Sequence, residues 1–156
     1  VTNMSTTDVS NTTQRWFPNS MPAPMVDHHT LPWWQACAEH KMTAQRCKQC
    51  NHAQIPPAPI CSECHSNSFE MTELNGKGTL YTYTAVYQPI AMEQTLPFFI
   101  AIVELDVSGT PCANSVRLMT NMVDCDESEL QIGKPVVVAW ETMSEFVSIP
   151  RFRFST

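Results

Sequence analysis

The chain has 156 residues, with 9 Lys and Arg against 15 Asp and Glu, a formal net charge of -6. That length suits one ordinary domain or two small ones, and the acidic balance argues against a surface that tracks nucleic-acid phosphates and for small molecules or proteins as partners. No apolar run reaches the ~18–20 residues a bilayer-spanning helix needs, so a membrane role is not expected.

Residues 1–29 are rich in Ser, Thr, Asn and Pro and poor in large apolar groups. Such a segment cannot bury enough surface to offset its own ordering entropy, and the expectation is a flexible tail or a segment laid over a partner. A helix is predicted from Thr30 to Met42, with Thr30 as its N-cap and Pro32 in the first turn, where proline is tolerated. Leu31, Trp34, Cys37 or Ala38, and Met42 recur at helical spacing. Trp33 and Trp34 are adjacent and cannot share the centre of one narrow stripe. A short helix beside a small ribbon offers little core for two indoles, so this pair is the expected partner-binding site.

Cys47 and Cys50 form one C-x-x-C pair, Cys61 and Cys64 a second, with ten residues between them. Two such pairs can set four thiolates at the corners of a tetrahedron, which suits structural Zn²⁺. A redox dithiol needs one C-x-x-C opening a helix; Pro56, Pro57 and Pro59 rule out a helix here. Disulfides imply secretion, and no signal-peptide core or cleavage site is visible. Three further thiols, Cys37, Cys112 and Cys125, fit a reducing cytoplasm. The predicted unit of helix and zinc ribbon covers residues 30–72. Its core is thin, so the metal must supply much of its folding free energy.

From residue 73 to 156 the pattern turns to β. Gly76 and Gly78 mark a turn. Strands are expected at Thr79–Tyr87, Pro97–Val107, Ser115–Met119, Pro135–Thr142 and Phe146–Phe154, the second buried on both faces. An acidic helical turn, Asp126–Leu130, falls between the third and fourth, with Asp124 or Asp126 as its cap. Five short strands with that insertion match a small Greek-key barrel of the OB type. The fold class is therefore mainly β, an N-terminal helix and zinc ribbon followed by a five-stranded OB barrel.

No nucleophile–base pair is legible. Carboxylates flank Cys125 and disfavour its thiolate, Cys112 lies in a turn, and Glu39 and His40 read as an exposed helix end. Tyr81, Tyr83, Phe98 and Phe99 are candidate ligand contacts or, in a nucleic-acid binder, could stack bases; the missing basic stripe opposes the second. Beyond Gly76 the cations are Lys77, Arg117, Lys134, Arg151 and Arg153, few for a phosphate-bearing ligand. Arg151 and Arg153 should share one face of the last strand. With Arg117 they complete the candidate ligand contacts.

The residues now carry a resemblance. In order they read WW-x-A-C, Q-R-C-x-x-C, P-P-x-P-x-C-x-x-C, G-K-G-T-L-Y-T-Y-T, P-F-F-I-A-I-V-E-L-D, L-Q-I-G-K-P-V-V-V and P-R-F-R-F. From about Leu31 to Phe154 this resembles the acyl-CoA-associated family built from a rubredoxin-like zinc ribbon and an OB fold. The resemblance implies an accessory subunit in a hetero-oligomer with thiolase-like and ketosynthase-like partners that carry the catalytic Cys and His. Within that family the chain is most similar to the small subunits of bacterial three-component C-acyltransferases that move acetyl groups between acylphloroglucinols, with the acyl donor and acceptor on the partner. The alternatives are an acyl-CoA-binding partner of a thiolase or aldolase and a single-stranded nucleic-acid binder.

Overall fold

A computed structural model describes residues 15–155. Of the segment expected as a tail, residues 1–14 lie outside the described residues. Helix α1 covers Leu31–Ala38. Thr30 does not cap it through its side chain, because its hydroxyl is engaged with Asp27. Asp27 instead organises the entry, accepting from the backbone N–H of His29 and Thr30 at 2.9 and 2.8 Å.

The helix stops a turn earlier than its apolar spacing predicts. His40 takes a left-handed conformation (φ 58°), its N–H reaching the Cys37 carbonyl while that of Lys41 reaches Ala36. This pair of reversed bonds closes a helix and usually has glycine at the left-handed position. Here the histidine ring lies flat on Trp140, centroids 5.4 Å apart, and ties the helix end to the barrel. Met42, beyond the stop, is still buried.

Strands β1 (Thr43–Cys47), β2 (Ala53–Gln54) and β3 (Phe69–Glu73) form an antiparallel sheet in the order β2-β1-β3. The remaining strands are β4 (Lys77–Val86), β5 (Phe98–Leu105), β6 (Val116–Met122), β7 (Pro135–Ser144) and β8 (Val147–Phe154). They close a barrel in the order β4-β5-β6-β8-β7. A short 3-10 turn, Glu127–Glu129, sits between β6 and β7, with Glu129 returning a carboxylate to the N–H of its cap, Asp126. The five-stranded barrel with this insertion is an OB fold. Its interior is packed by Leu80, Val103, Leu105, Val136 and Phe152, all almost fully buried. No helix among the described residues is long and apolar enough to cross a membrane.

Of the two turn glycines, only Gly76 has a positive φ, 71°. Gly78 lies inside β4, where a Cβ would sit 2.5 Å from the Glu104 carbonyl oxygen and 2.8 Å from a Val103 methyl. Neither a backbone oxygen nor a core valine can step aside cheaply. Gly78→Ala is therefore expected to destabilise the barrel by about 1–3 kcal/mol, the usual cost of overpacking. Urea unfolding measures it, and an unchanged midpoint would show that the β4–β5 ladder yields at this point.

Strand β5 meets its two-sided expectation only in part. Phe99, Ala101, Val103 and Leu105 point into the core, while Ile100 and Ile102 are half-buried. They line a groove on the outer face.

Candidate metal centre and the groove beside it

Each cysteine pair closes a tight knuckle. The Cys47 N–H donates to the His52 carbonyl and the Asn51 N–H to Cys47; Cys61 with Ser66 and His65 with Cys61 repeat the pattern. The residue after each second cysteine, Asn51 or His65, is left-handed, φ 62° and 58°. This turns the chain back so that both sulfurs of a pair face one point. All four Sγ atoms lie within 4.8 Å of one another, with Cys47–Cys64 at 3.5 Å and Cys50–Cys61 at 3.6 Å. A zinc–sulfur bond of about 2.3 Å implies a tetrahedron edge of roughly 3.8 Å.

The electrostatics agree with the geometry. Backbone N–H groups of Cys50 and Gln49 aim at the Cys47 sulfur and hold its thiol at about 6. The His52 N–H favours a Cys50 thiolate, but burial and the neighbouring sulfurs outweigh it and push that thiol up to about 12. Four sulfurs this close can ionise together only around a cation. The domain's cofactor is Zn²⁺, and these four sulfurs fit it; it would be closed to water and structural, with no part in a reaction.

The metal knuckle is joined to the barrel. Ala113, in the β5–β6 connection, donates its N–H to the Asn51 carbonyl at 2.9 Å. Asn114 uses its amide as a surrogate strand, accepting from Ala53 N–H at 2.7 Å and donating to Ala53 C=O at 3.0 Å. Beyond this seam lies an apolar groove of about 690 Å³ between helix, ribbon and barrel. Trp34, Ile55, Ile100, Ile102 and Met119 line it, and Phe17 and Met21 supply part of its wall.

Phe17 is held there by a buried ion pair. Glu141, 1% exposed, accepts from Arg151 Nε at 2.8 Å and from the backbone N–H of Trp16 and Phe17 at 3.0 and 2.9 Å. Glu141 pairs in register with Ile149, which puts it on the barrel's outer face, diagonal to Arg151. It is buried because residues 15–17 lie over it. Arg151 also reaches Asn121 Oδ1 at 2.6 Å and covers the Phe17 ring. Sequence reasoning missed Glu141 and Asn114. A Glu–Arg diagonal on neighbouring strands was the available signal for the first; nothing local marks the second.

Of the other predicted site residues, Trp33, Trp34, Tyr81, Phe98, Arg117 and Arg151 line this same groove, whereas Tyr83, Phe99 and Arg153 do not. Trp33 is 5% exposed and donates its indole N–H to the Thr43 carbonyl at 3.0 Å. The ring belongs to this chain's own core and borders the groove. Trp34 packs edge-on against it, centroids 4.7 Å apart, and remains partly open. Tyr81 is exposed beneath the Arg117 guanidinium, 3.7 Å from the ring centre, and Arg117 also pairs with Glu104. Phe98 abuts Phe17, Phe99 is barrel core, and Tyr83 is half-buried near the Leu130 carbonyl. Arg151 and Arg153 share the outer face, but Arg151 is engaged by Glu141, while Arg153 is exposed, 3.9 Å from Asp124. Burial pushes the Cys37 thiol up to about 12, and burial together with Glu129, Asp124 and Asp126 pushes Cys125 up to about 11.

A closed four-sulfur ribbon joined to an OB barrel defines a two-module zinc-ribbon/OB protein. Residues 34–70 match the family described as ChsH2, rubredoxin-like zinc ribbon domain, and residues 71–141 that described as ChsH2, C-terminal OB-fold domain. A DUF35 domain-containing scaffold protein of Methanocaldococcus jannaschii is 30% identical over 115 residues, 72% of this chain and 77% of that protein. The chain belongs to the ChsH2/DUF35 family. It is also 31% identical over 132 residues to a probable enoyl-CoA hydratase alpha subunit of Thermomonospora curvata, covering 85% of this chain and only 39% of that protein. Among solved structures it is similar to a chain of the Ltp2-ChsH2(DUF35) aldolase, with TM-score 0.73 and 30% identity, covering 86% of this chain and all of that one.

Proposed function

We propose that this chain is a non-catalytic accessory subunit of a multicomponent thiolase-like acyltransferase. It docks the catalytic subunits and walls their substrate tunnel in C-acetyl transfer between acylphloroglucinol-type phenols, in the cytoplasm. The observation that carries the reading is an apolar outer surface beside a metal-stiffened junction. Leu31, Trp34, Phe146 and Val147 border a second hollow of about 720 Å³ along α1 and the β7–β8 tip, and Phe146 is 73% exposed. Apolar patches of this kind mark protein contacts. The thiol chemistry points the same way: acyl transfer needs an activated cysteine, whereas Cys37 and Cys125 are held protonated. The relatives' names, a scaffold, an alpha subunit and an aldolase complex, fit a chain that works with others.

Reconstitution from purified components tests this. The chain alone should show no acyl transfer, thiolase-like and ketosynthase-like partners alone little, and the mixture full activity, unchanged by Cys112→Ser with Cys125→Ser. Acyl transfer by the chain alone, or loss with either serine in an intact complex, would refute it. The two tryptophans should then separate. Trp34→Ala should keep the fold and weaken partner binding by about 1–2 kcal/mol or more. Trp33→Ala should cost the free chain about 3–5 kcal/mol of stability. Calorimetric titration against the partner and thermal unfolding read the two effects.

A further inference from the structure

The barrel closes between β6 and β8 by only a short ladder. Over its whole length β6 pairs with β5, but its parallel ladder to β8 is one pair long, Met122 with Phe152. There the Val123 N–H donates to the Phe152 carbonyl. Amide directions alternate along a strand, so the N–H and C=O groups of Asn121, Met119 and Arg117 point to that same side. Further up, β8 offers no ladder. Pro150 has no N–H, and its carbonyl is taken by the Thr120 hydroxyl at 2.7 Å. Asn114 closes the other end by binding Ala53. Between these stops the lateral backbone groups of Arg117 and Met119 have no strand partner among the described residues. Both residues line the apolar groove, and the Met119 side chain is 74% exposed.

An open strand edge is a template for another strand, and one flanked by apolar walls suits strand addition, in which main-chain bonds give affinity and side-chain pockets give selectivity. The groove's two cations are engaged, Arg117 with Glu104 and Tyr81, Arg151 with Glu141. This disfavours a phosphate-bearing occupant. We propose that the opening takes an extended, apolar segment of a partner protein, which adds to β6 as a strand at Arg117–Met119. The proposal rests on the accessory-subunit reading and names how one contact is made.

The test uses the zinc-loaded chain with a purified thiolase-like subunit. Because the Met119 N–H faces away from β5, Met119→Pro deletes a groove-facing donor and leaves the β5 ladder whole; proline is tolerated at such edges. Met119→Pro should weaken binding about tenfold, the worth of a lost hydrogen bond with local misfit, and Met119→Ala by no more than about threefold. Benzoylphenylalanine at position 119 should cross-link to one extended apolar stretch of the partner, a readout that stands even where the proline variant folds poorly. Equal affinities of the proline and alanine variants would overturn the proposal. So would cross-links to a partner helix, to a second copy of this chain or to residues 1–14 of the same chain. If wild type fails to bind the subunit at all, the accessory reading falls first. If it binds with position 119 silent, only the strand addition falls.

Discussion

Cys47→Ser is expected to abolish stoichiometric zinc and unfold the ribbon while the barrel stays folded. The ribbon sheet has two strands of five residues and one of two, and its buried side chains are mostly small, Ala44, Ala53, Cys47 and Cys61 among them. So little apolar area cannot offset the ordering entropy of some thirty residues. Structural zinc contributes on the order of 10–16 kcal/mol in zinc-finger peptides, comparable to the whole margin of a domain. Serine keeps the volume and loses the thiolate on which the N–H groups of Cys50 and Gln49 converge. The seam should open with the metal, because Asn51 and Ala53 hold the barrel residues Ala113 and Asn114. Elemental analysis and hydrogen exchange at the Ala53 and Ala113 amides check both parts. Cys112→Ser is the control, with zinc and protection retained. Full zinc content with native protection in Cys47→Ser would mean that three sulfurs suffice.

The modules and the metal could be read before the coordinates because their signals are local. Two C-x-x-C pairs fix a donor set, and alternation with turn residues marks strands. Most errors have one cause, contacts made between distant segments. The helix ends at Ala38, where the His40 ring finds Trp140, a hundred residues on. Adjacency shows that Trp33 and Trp34 diverge, but not which ring meets the Thr43 carbonyl. A count of cations found Arg151 and could not supply Glu141 as its counter-ion or the covering segment, which lies 125 positions away in the chain. Gly78 reads as a turn residue because the approach of Glu104 that requires it comes from the next strand.

Glu141→Ala is expected to cost about 3–5 kcal/mol, because removing the buried carboxylate leaves Arg151, and Arg15 at 3.6 Å from its Oε1, without compensation. Arg151 would keep Asn121 and the Phe17 ring, which blunts the loss without cancelling the charge. The N–H groups of Trp16 and Phe17 would lose their shared acceptor, and an unpaired buried donor carries its own penalty. Release of this segment strips Phe17 from Phe98, whose ring it meets edge-on at 5.9 Å, and removes a wall of the groove. Glu141→Gln separates the contributions, since its carbonyl can still accept from Trp16 or Phe17 while the charge is gone; it should fall between wild type and alanine. Glu141→Leu combined with Arg151→Met should recover part of the alanine loss, as apolar replacement of buried ion pairs does, with Arg15 still lacking its counter-ion, and leave the Trp16 and Phe17 amides unprotected. Denaturant unfolding with hydrogen exchange at those two amides separates the outcomes. A Glu141→Ala protein within about 1 kcal/mol of wild type, with both amides still protected, would show that residues 15–17 are held by their aromatic contacts and not by the carboxylate.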